Sequence, residues 1–219
     1  MAIEFVGGNT AGKAGATSGN TTIALNSGLT GGIASAVSAG DLVIACFATG
    51  AVADRTLAIT DGTTNYTLIN SELYSNDTFD TNLRVAYKFM GGSPDASTTF
   101  GPTGDNADSG AMAVYVFRGV DSGIPLDVAA VPATGIDTSR ANAASIQPTT
   151  TGAYIVVVGA AAHNGGVDTF TSSDLTDFLT VGGTNDTNDI TLGVGHLAWT
   201  SGAFNAAALG HSQADSTSF

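Results

Sequence analysis

The sequence predicts an all-β protein, an antiparallel β-sandwich of jelly-roll or concanavalin-like type with about a dozen strands. Three observations carry that expectation. Short apolar or alternating runs recur at intervals close to the 8–12 residues typical of sandwiches, separated by Gly, Asp, Asn, Ser and Pro. No segment keeps a helical period. The whole chain holds only two glutamates, Glu4 and Glu72, and two lysines, Lys13 and Lys88, residue types that normally furnish exposed helix faces.

The elements follow in order. Ile3 to Val6 reads as a short first strand, and the Gly/Thr/Ser/Ala-rich residues 7–19 as a flexible loop or extended arm. Thr21 to Leu25 is a strand closed by Asn26-Ser27-Gly28, and Leu29 to Gly40 is small and irregular. Leu42 to Phe47 is apolar on both faces, the pattern of a strand covered on both sides. Leu57 to Thr60 ends at the turn dipeptide Asp61-Gly62, and Tyr66 to Tyr74 alternates. Leu83 to Phe89 has the clearest period of two. It sets Leu83, Val85, Tyr87 and Phe89 toward a core and Arg84, Ala86 and Lys88 toward water.

Ser97 to Phe100 reads as an edge strand, and Met112 to Phe117 as a buried one stopped by Arg118, Gly119, Val120, Asp121, Ser122 and Gly123. Short strands are expected around Val128 and Ala144 to Ile146, and a second buried run at Tyr154 to Ala162. Phe178 to Val181 and Ile190 to Thr200 follow, Ala203 to Leu209 closes the sheet, and the tail 213–219 reads as flexible or partner-bound. One domain spanning residues 1–219 accounts for the length, since a chain of this size buries a sizeable core without staples.

Composition narrows the partners. The net charge is −13, and the six basic residues are scattered, so no basic stripe tracks a phosphate backbone. Nucleic acid and anionic membrane surfaces are not expected partners. The first residues, MAIEFVGGNTAGK, show neither a cationic nor an apolar leader region, and no run approaches the roughly 18 apolar residues of a span. Cys46 is the single cysteine and sits in an apolar run, which fits a buried free thiol.

Catalytic signatures are sparse. The chain has no G-x-S-x-G elbow, phosphate-binding Gly-Lys loop, H-E-x-x-H or zinc-type Cys pair. Glu4 and Glu72 lie far apart, and Asp174 and Asp177 would point to opposite faces of a strand, so the two facing carboxylates of a glycosidase are not expected. A scattered nucleophile–His–Asp arrangement stays open. His163 would cap a strand end, His196 would share a side with Val194 and Ala198, and His211 lies in the tail. The oxygen-rich loops, Asn76-Asp77 with Asp80 and Asn185-Asp186 with Asn188 and Asp189, are the calcium candidates; ordinary turn chemistry is the better reading of both. Tyr66, Tyr74 and Trp199 could stack on a sugar, whereas Phe47, Phe89, Tyr115 and Phe117 read as core.

Four stretches carry a resemblance: Ala39-Gly40-Asp41-Leu42-Val43, Val85-Ala86-Tyr87-Lys88, Phe117-Arg118-Gly119-Val120-Asp121 and Pro125-Leu126-Asp127. In this order they resemble jelly-roll-like structural proteins of tailed bacteriophages, prophages and gene-transfer-agent-like particles, over roughly residues 1–165. The resemblance implies a non-enzymatic part of a virion, made in the bacterial cytoplasm and displayed as a capsid decoration or head spike, with a tail or fibre component as the alternative. It implies other virion proteins and copies of itself as partners, and no cofactor. The rival from another class is a carbohydrate-binding or adhesin module that contacts a host-surface glycan. Within the resemblance, Arg118, Gly119 and Asp121 read as a structural corner. Gly119 would ease the turn, and Arg118 would be free to pair with Asp121 or another carboxylate.

Overall fold

The computed structural model describes residues 2–15, 19–51, 53–76, 79–101, 108–136, 140–166, 169–184, 188–205, 209–210 and 216–218. The strands, in chain order, are β1 (Glu4–Lys13), β2 (Thr21–Ala24), β3 (Leu42–Ala51), β4 (Ile59–Thr60), β5 (Thr67–Leu68), β6 (Leu73–Ser75), β7 (Asp80–Phe89) and β8 (Ser97–Phe100). They continue as β9 (Ser109–Arg118), β10 (Thr134–Gly135), β11 (Arg140–Ala141), β12 (Tyr154–His163), β13 (Thr176–Gly183), β14 (Asp189–Ala198), β15 (Leu209–Gly210) and β16 (Ser216–Ser218). Every pairing between them is antiparallel. The protein is an all-β sandwich.

The first half of the chain builds a sheet of order β1-β9-β3-β7-β5, with β6 also on β7. The second half builds a sheet of order β10-β16-β12-β14-β13. A small sheet, β2-β8-β4, covers the outer face of the first, and the pair β11-β15 stands beside the second. The β1–β9 sheet is therefore a middle layer. On β3, Val43, Ala45 and Phe47 pack with Ile23, Leu25, Ile59 and Phe100 of the covering sheet. Leu42, Ile44, Cys46 and Ala48 pack the other way, with Ala160, Ala162, Ile190 and Leu192. All ten residues of β3 are buried for this reason, as a strand with two covered faces requires. β9 repeats the arrangement, with Met112, Val114 and Val116 on one side and Ala113, Tyr115 and Phe117 on the other. The outer face of β12 has a core of its own, where Ile155, Val157 and Ala161 meet Phe170, Leu175 and Leu209.

Five expectations are corrected. Residues 7–13 are not an arm: they continue β1, paired with β9 from Glu4↔Arg118 to Lys13↔Gly110. Their small side chains let a neighbouring layer come close, a role that resembles loop composition in sequence. The tail is partly ordered, because β16 pairs with both β12 and β10; residues 213–215 and 219 lie outside the described set. The stretch from Tyr66 to Tyr74 is two short strands, interrupted where Glu72 turns to Arg84 (2.9 Å) and to the Leu57 amide (2.7 Å). The second face of β7 is not wet. Ala86 is fully buried there, and Lys88 holds Asp61 at 2.5 Å and Asp95 at 2.6 Å. No strand forms at Val128, and Ile146 makes only an isolated bridge to Phe204.

Candidate functional site: an interlayer wedge and its rim

The two large sheets do not run at constant separation. On the facing side of β3 the residues shrink along the strand, from Leu42 and Ile44 to Cys46, Ala48 and Gly50. β9 runs antiparallel and grows, through Ala111, Ala113, Tyr115 and Phe117. β12 runs from Tyr154, Val156 and Val158 to Ala160 and Ala162. On these three strands the small residues gather at one end and the large ones at the other, with Leu83, Ile190 and Leu192 of the neighbouring strands filling the space beside the small ones.

At the narrow end the layers touch through backbone. The Thr81 hydroxyl oxygen accepts the Ala162 amide at 2.9 Å, and the Ser109 hydroxyl donates to the Asn188 carbonyl. A Cβ on Gly50 would lie 2.7 Å from the Asp189 carbonyl, and one on Gly183 would lie 2.3 Å from that of Gly110. At the wide end the sheets part around a cavity of about 780 Å³. Leu42, Ile44, Val85, Tyr87 and Phe117 form one wall, and Tyr154, Val156 and Val158 of β12 form the other. The linking segments 119–132 and 143–153 supply the cover. Tyr154, Val156, Val158, Val85 and Tyr87 are only half-buried, although their faces point into the interlayer.

The corner expected at Arg118, Gly119 and Asp121 forms the rim of this wide end. Arg118 does not pair with Asp121. Its guanidinium donates from Nε and Nη2 to the two oxygens of Asp41, at 2.8 and 2.9 Å. The Asp41 side chain is 1% exposed and that of Arg118 is 33% exposed. Asp41 also accepts the Ser38 amide at 2.7 Å, and its backbone bonds Met90 at the end of β7. One residue thereby ties the start of β3 to the ends of β7 and β9. Gly119 holds φ +81°, and a Cβ there would sit 2.5 Å from the Ala2 carbonyl, so glycine is needed on both counts. Asp121 caps its own turn by accepting the Gly123 amide at 2.8 Å. Asp127 accepts the Thr149 and Thr150 amides, and the Thr150 hydroxyl together with these amides lowers its carboxyl to about 2.

Behind the cavity wall lies a cluster around His196 whose other members the sequence did not point to. His196 is 4% exposed and sits among Phe5, Phe117, Tyr154 and Tyr115, with ring centroids 4.2 to 6.1 Å away. Its Nε2 is 3.2 Å from an Asp177 carboxylate oxygen, out of line for a hydrogen bond; its Nδ1 is 3.2 Å from the Thr176 hydroxyl. Asp177 has φ 46°, the sole positive value of a non-glycine residue in the described chain. It sits in the bulge where the β13–β14 register shifts. The Tyr115 hydroxyl donates to the Asp177 and Val194 carbonyls and accepts the Leu179 amide. No local motif marks this cluster, since its members come from five strands.

Burial pulls the His196 imidazole below its ordinary value, and the Asp177 carboxylate opposes that shift without reversing it. The folded protein then binds a proton less readily than the unfolded chain. Stability should be full above about pH 6.5, the free imidazole value. It should fall as pH drops from there toward the lower folded value. A thermal midpoint measured at about pH 7.5 and about pH 5.5 should drop on acidification, and His196→Gln should shrink that drop. An equal drop in the variant would remove His196 as its source.

The remaining candidates are dispersed. Asp80 opens β7, is 7% exposed and accepts the Tyr74 hydroxyl at 2.7 Å. Asp189 opens β14 and accepts the Gly165 and Gly166 amides at 3.2 and 2.7 Å. Asn76 is exposed; Asp77, Asn185, Asp186 and His211 lie outside the described residues. Among the described residues no three His, Cys, Asp or Glu side chains gather as a metal set. His163 is buried at the narrow end, 3.1 Å from the Thr191 hydroxyl. Tyr66 is buried under the covering sheet and bonds Thr98, while Trp199 packs on the outer core and bonds the Gly202 carbonyl. These rings do not form one stacking platform. Cys46 is fully buried, which pushes its thiol far up. Among the described residues no helix is long and apolar enough to cross a membrane.

No protein-family model matches this chain, and no curated protein and no solved structure is significantly similar to it.

Proposed function

We propose that this protein is a non-enzymatic structural subunit of a tailed-phage or phage-like particle, displayed on its surface as a capsid decoration or head spike. One observation carries the reading beyond the resemblance. Among the described residues six large apolar side chains are exposed; three of them, Ile124, Leu126 and Val131, fall on the segment that links β9 to β10, and a fourth, Ile136, directly follows β10. Scattered exposed apolar residues are ordinary, whereas their concentration on one segment marks a contact surface. The resembling stretches support the same role, because Ala39–Val43 and Phe117–Asp121 meet as the Asp41–Arg118 joint. The carboxylates in those stretches support a structural reading, because Asp41, Asp121 and Asp127 each accept hydrogen bonds that fix a strand end or a turn.

The partners of that segment would be other particle proteins and neighbouring copies of the chain, assembled in a bacterial cytoplasm. Immunogold labelling of purified particles tests this. Label on heads is the expected result, label on tails would move the protein to the tail or fibre, and an unlabelled particle fraction would overturn the proposal.

A further inference from the structure

We infer that the interlayer cavity is a binding site for a small hydrophobic molecule that is neutral or cationic, and that it discriminates against anions. This goes beyond the structural role and stands independently of it. The cavity volume of about 780 Å³ falls within the range of small-molecule sites, roughly 300–1,000 Å³. Its walls are aliphatic and aromatic, from Leu42, Ile44, Tyr87, Phe117, Tyr154 and Val156. The opening is a property of the frame and not a loose core. The same strands that leave Tyr154, Val156 and Val158 half-buried hold Ala160 and Ala162 at 0% exposure a few residues on. The glycine contacts of the narrow end fix the separation of the layers there.

Charge decides the class of ligand. Among the described residues the cavity lining contains Asp121 and Asp127 and no Lys, Arg or His. The rim cation Arg118 is held by both oxygens of Asp41. A ligand carboxylate, sulfonate or phosphate would meet two carboxylates, with no cation among the described lining residues to offset them, in a protein of net charge −13. A neutral body, or one bearing a cationic group toward the rim, meets no such penalty.

Two dyes that share one body isolate that discrimination: N-phenyl-1-naphthylamine, which is neutral, and 8-anilinonaphthalene-1-sulfonate, which adds a sulfonate. Fluorescence titration of the full chain should show saturable binding of one neutral dye per protein, with the sulfonate at least about ten-fold weaker. Val156→Trp and Val158→Phe, each placing a ring in the cavity, should weaken the neutral dye at least about ten-fold. Asp121→Asn should narrow the gap between the dyes. Ile33→Ser, an exposed position outside the cavity lining, should change neither. Thermal melts establish that each variant is folded; where Val156→Trp fails to fold, Val158→Phe decides. No saturable neutral binding, equal affinity for both dyes, or binding that survives a folded filled variant would each overturn the assignment. So would a dimer, seen by light scattering, whose formation excludes the dye, since a second copy would then be the occupant.

Discussion

Gly183→Ala is expected to destabilise the protein by at least about 3 kcal/mol, at the upper end of overpacking costs, and to leave little folded material near 37 °C. The added methyl would lie 2.3 Å from the Gly110 carbonyl, 2.4 Å from the Lys13 carbonyl and 2.8 Å from the Gly110 amide nitrogen. All three obstacles are backbone, held in the β1–β9 ladder, so no rotamer change relieves them. Gly12 faces the same contact from the other side, with a Cβ position 2.2 Å from the Gly182 carbonyl. Relief requires the edge of one sheet to lift from the edge of the other, which disrupts the narrow end of the wedge. Gly91→Ala is the matched control. Nothing lies within 4 Å of its Cβ position and its φ is not positive, so alanine there should be neutral or stabilise by about 0.4–1 kcal/mol. Urea unfolding of the three proteins reads the contrast. Gly183→Ala within about 1 kcal/mol of wild type would mean that the sheets are not in backbone contact at that end.

These glycines also show where the sequence could and could not be read. The buried runs at Leu42 and Met112 announced a sandwich because an apolar pattern on both faces admits few alternatives. Residues 7–13 were opaque for the opposite reason. Gly and Thr are turn formers in isolation, and only the neighbouring layer, more than 150 residues away in sequence at Gly182 and Gly183, reveals why small residues stand there. β16 was equally hidden, since Ser216 to Ser218 join the sheet through backbone bonds available to any sequence. The alternation on β7 was visible, but its polar face looked wet because a one-dimensional pattern cannot show Asp61, Asp95 and Glu72 arriving to neutralise Lys88 and Arg84.

The candidate site divides along the same line. The corner at Arg118 was legible from composition. Its partner was not, because Asp41 lies 77 residues earlier and carboxylates nearer in sequence were available. The wedge had a signal that went unused: Ala111 and Ala113 give way to Tyr115 and Phe117 just as Tyr154, Val156 and Val158 give way to Ala160 and Ala162. Opposed gradients of side-chain size on two antiparallel runs imply a gap that opens toward one end. The His196 cluster had no comparable signal, since it depends on a bulge and on one left-handed residue, Asp177.

Arg118→Ala should destabilise the protein by about 2–3 kcal/mol. Breaking a fully buried pair typically costs 3–5 kcal/mol, and the one-third exposure of Arg118 reduces that through solvent screening. For a chain of this size the loss corresponds to roughly 5–10 °C in melting temperature. The cost arises on the acid side of the pair. Asp41 would stay buried, keeping the Ser38 amide at 2.7 Å and losing both guanidinium bonds. Asp41→Asn should therefore be milder than Arg118→Ala, because the arginine it releases can turn to water. The double variant should be more stable than Arg118→Ala alone, since the stranded charge is gone. Arg118→Lys should recover at most half of the loss: an ammonium replaces one point of charge but not the two-pronged fit at 2.8 and 2.9 Å. A double-mutant cycle followed by thermal melts reads all four. If the proposed particle role holds and the joint is architectural, incorporation of each variant into particles should track its folded fraction. A well-folded Arg118→Lys that no longer incorporates would instead make the corner a direct contact surface.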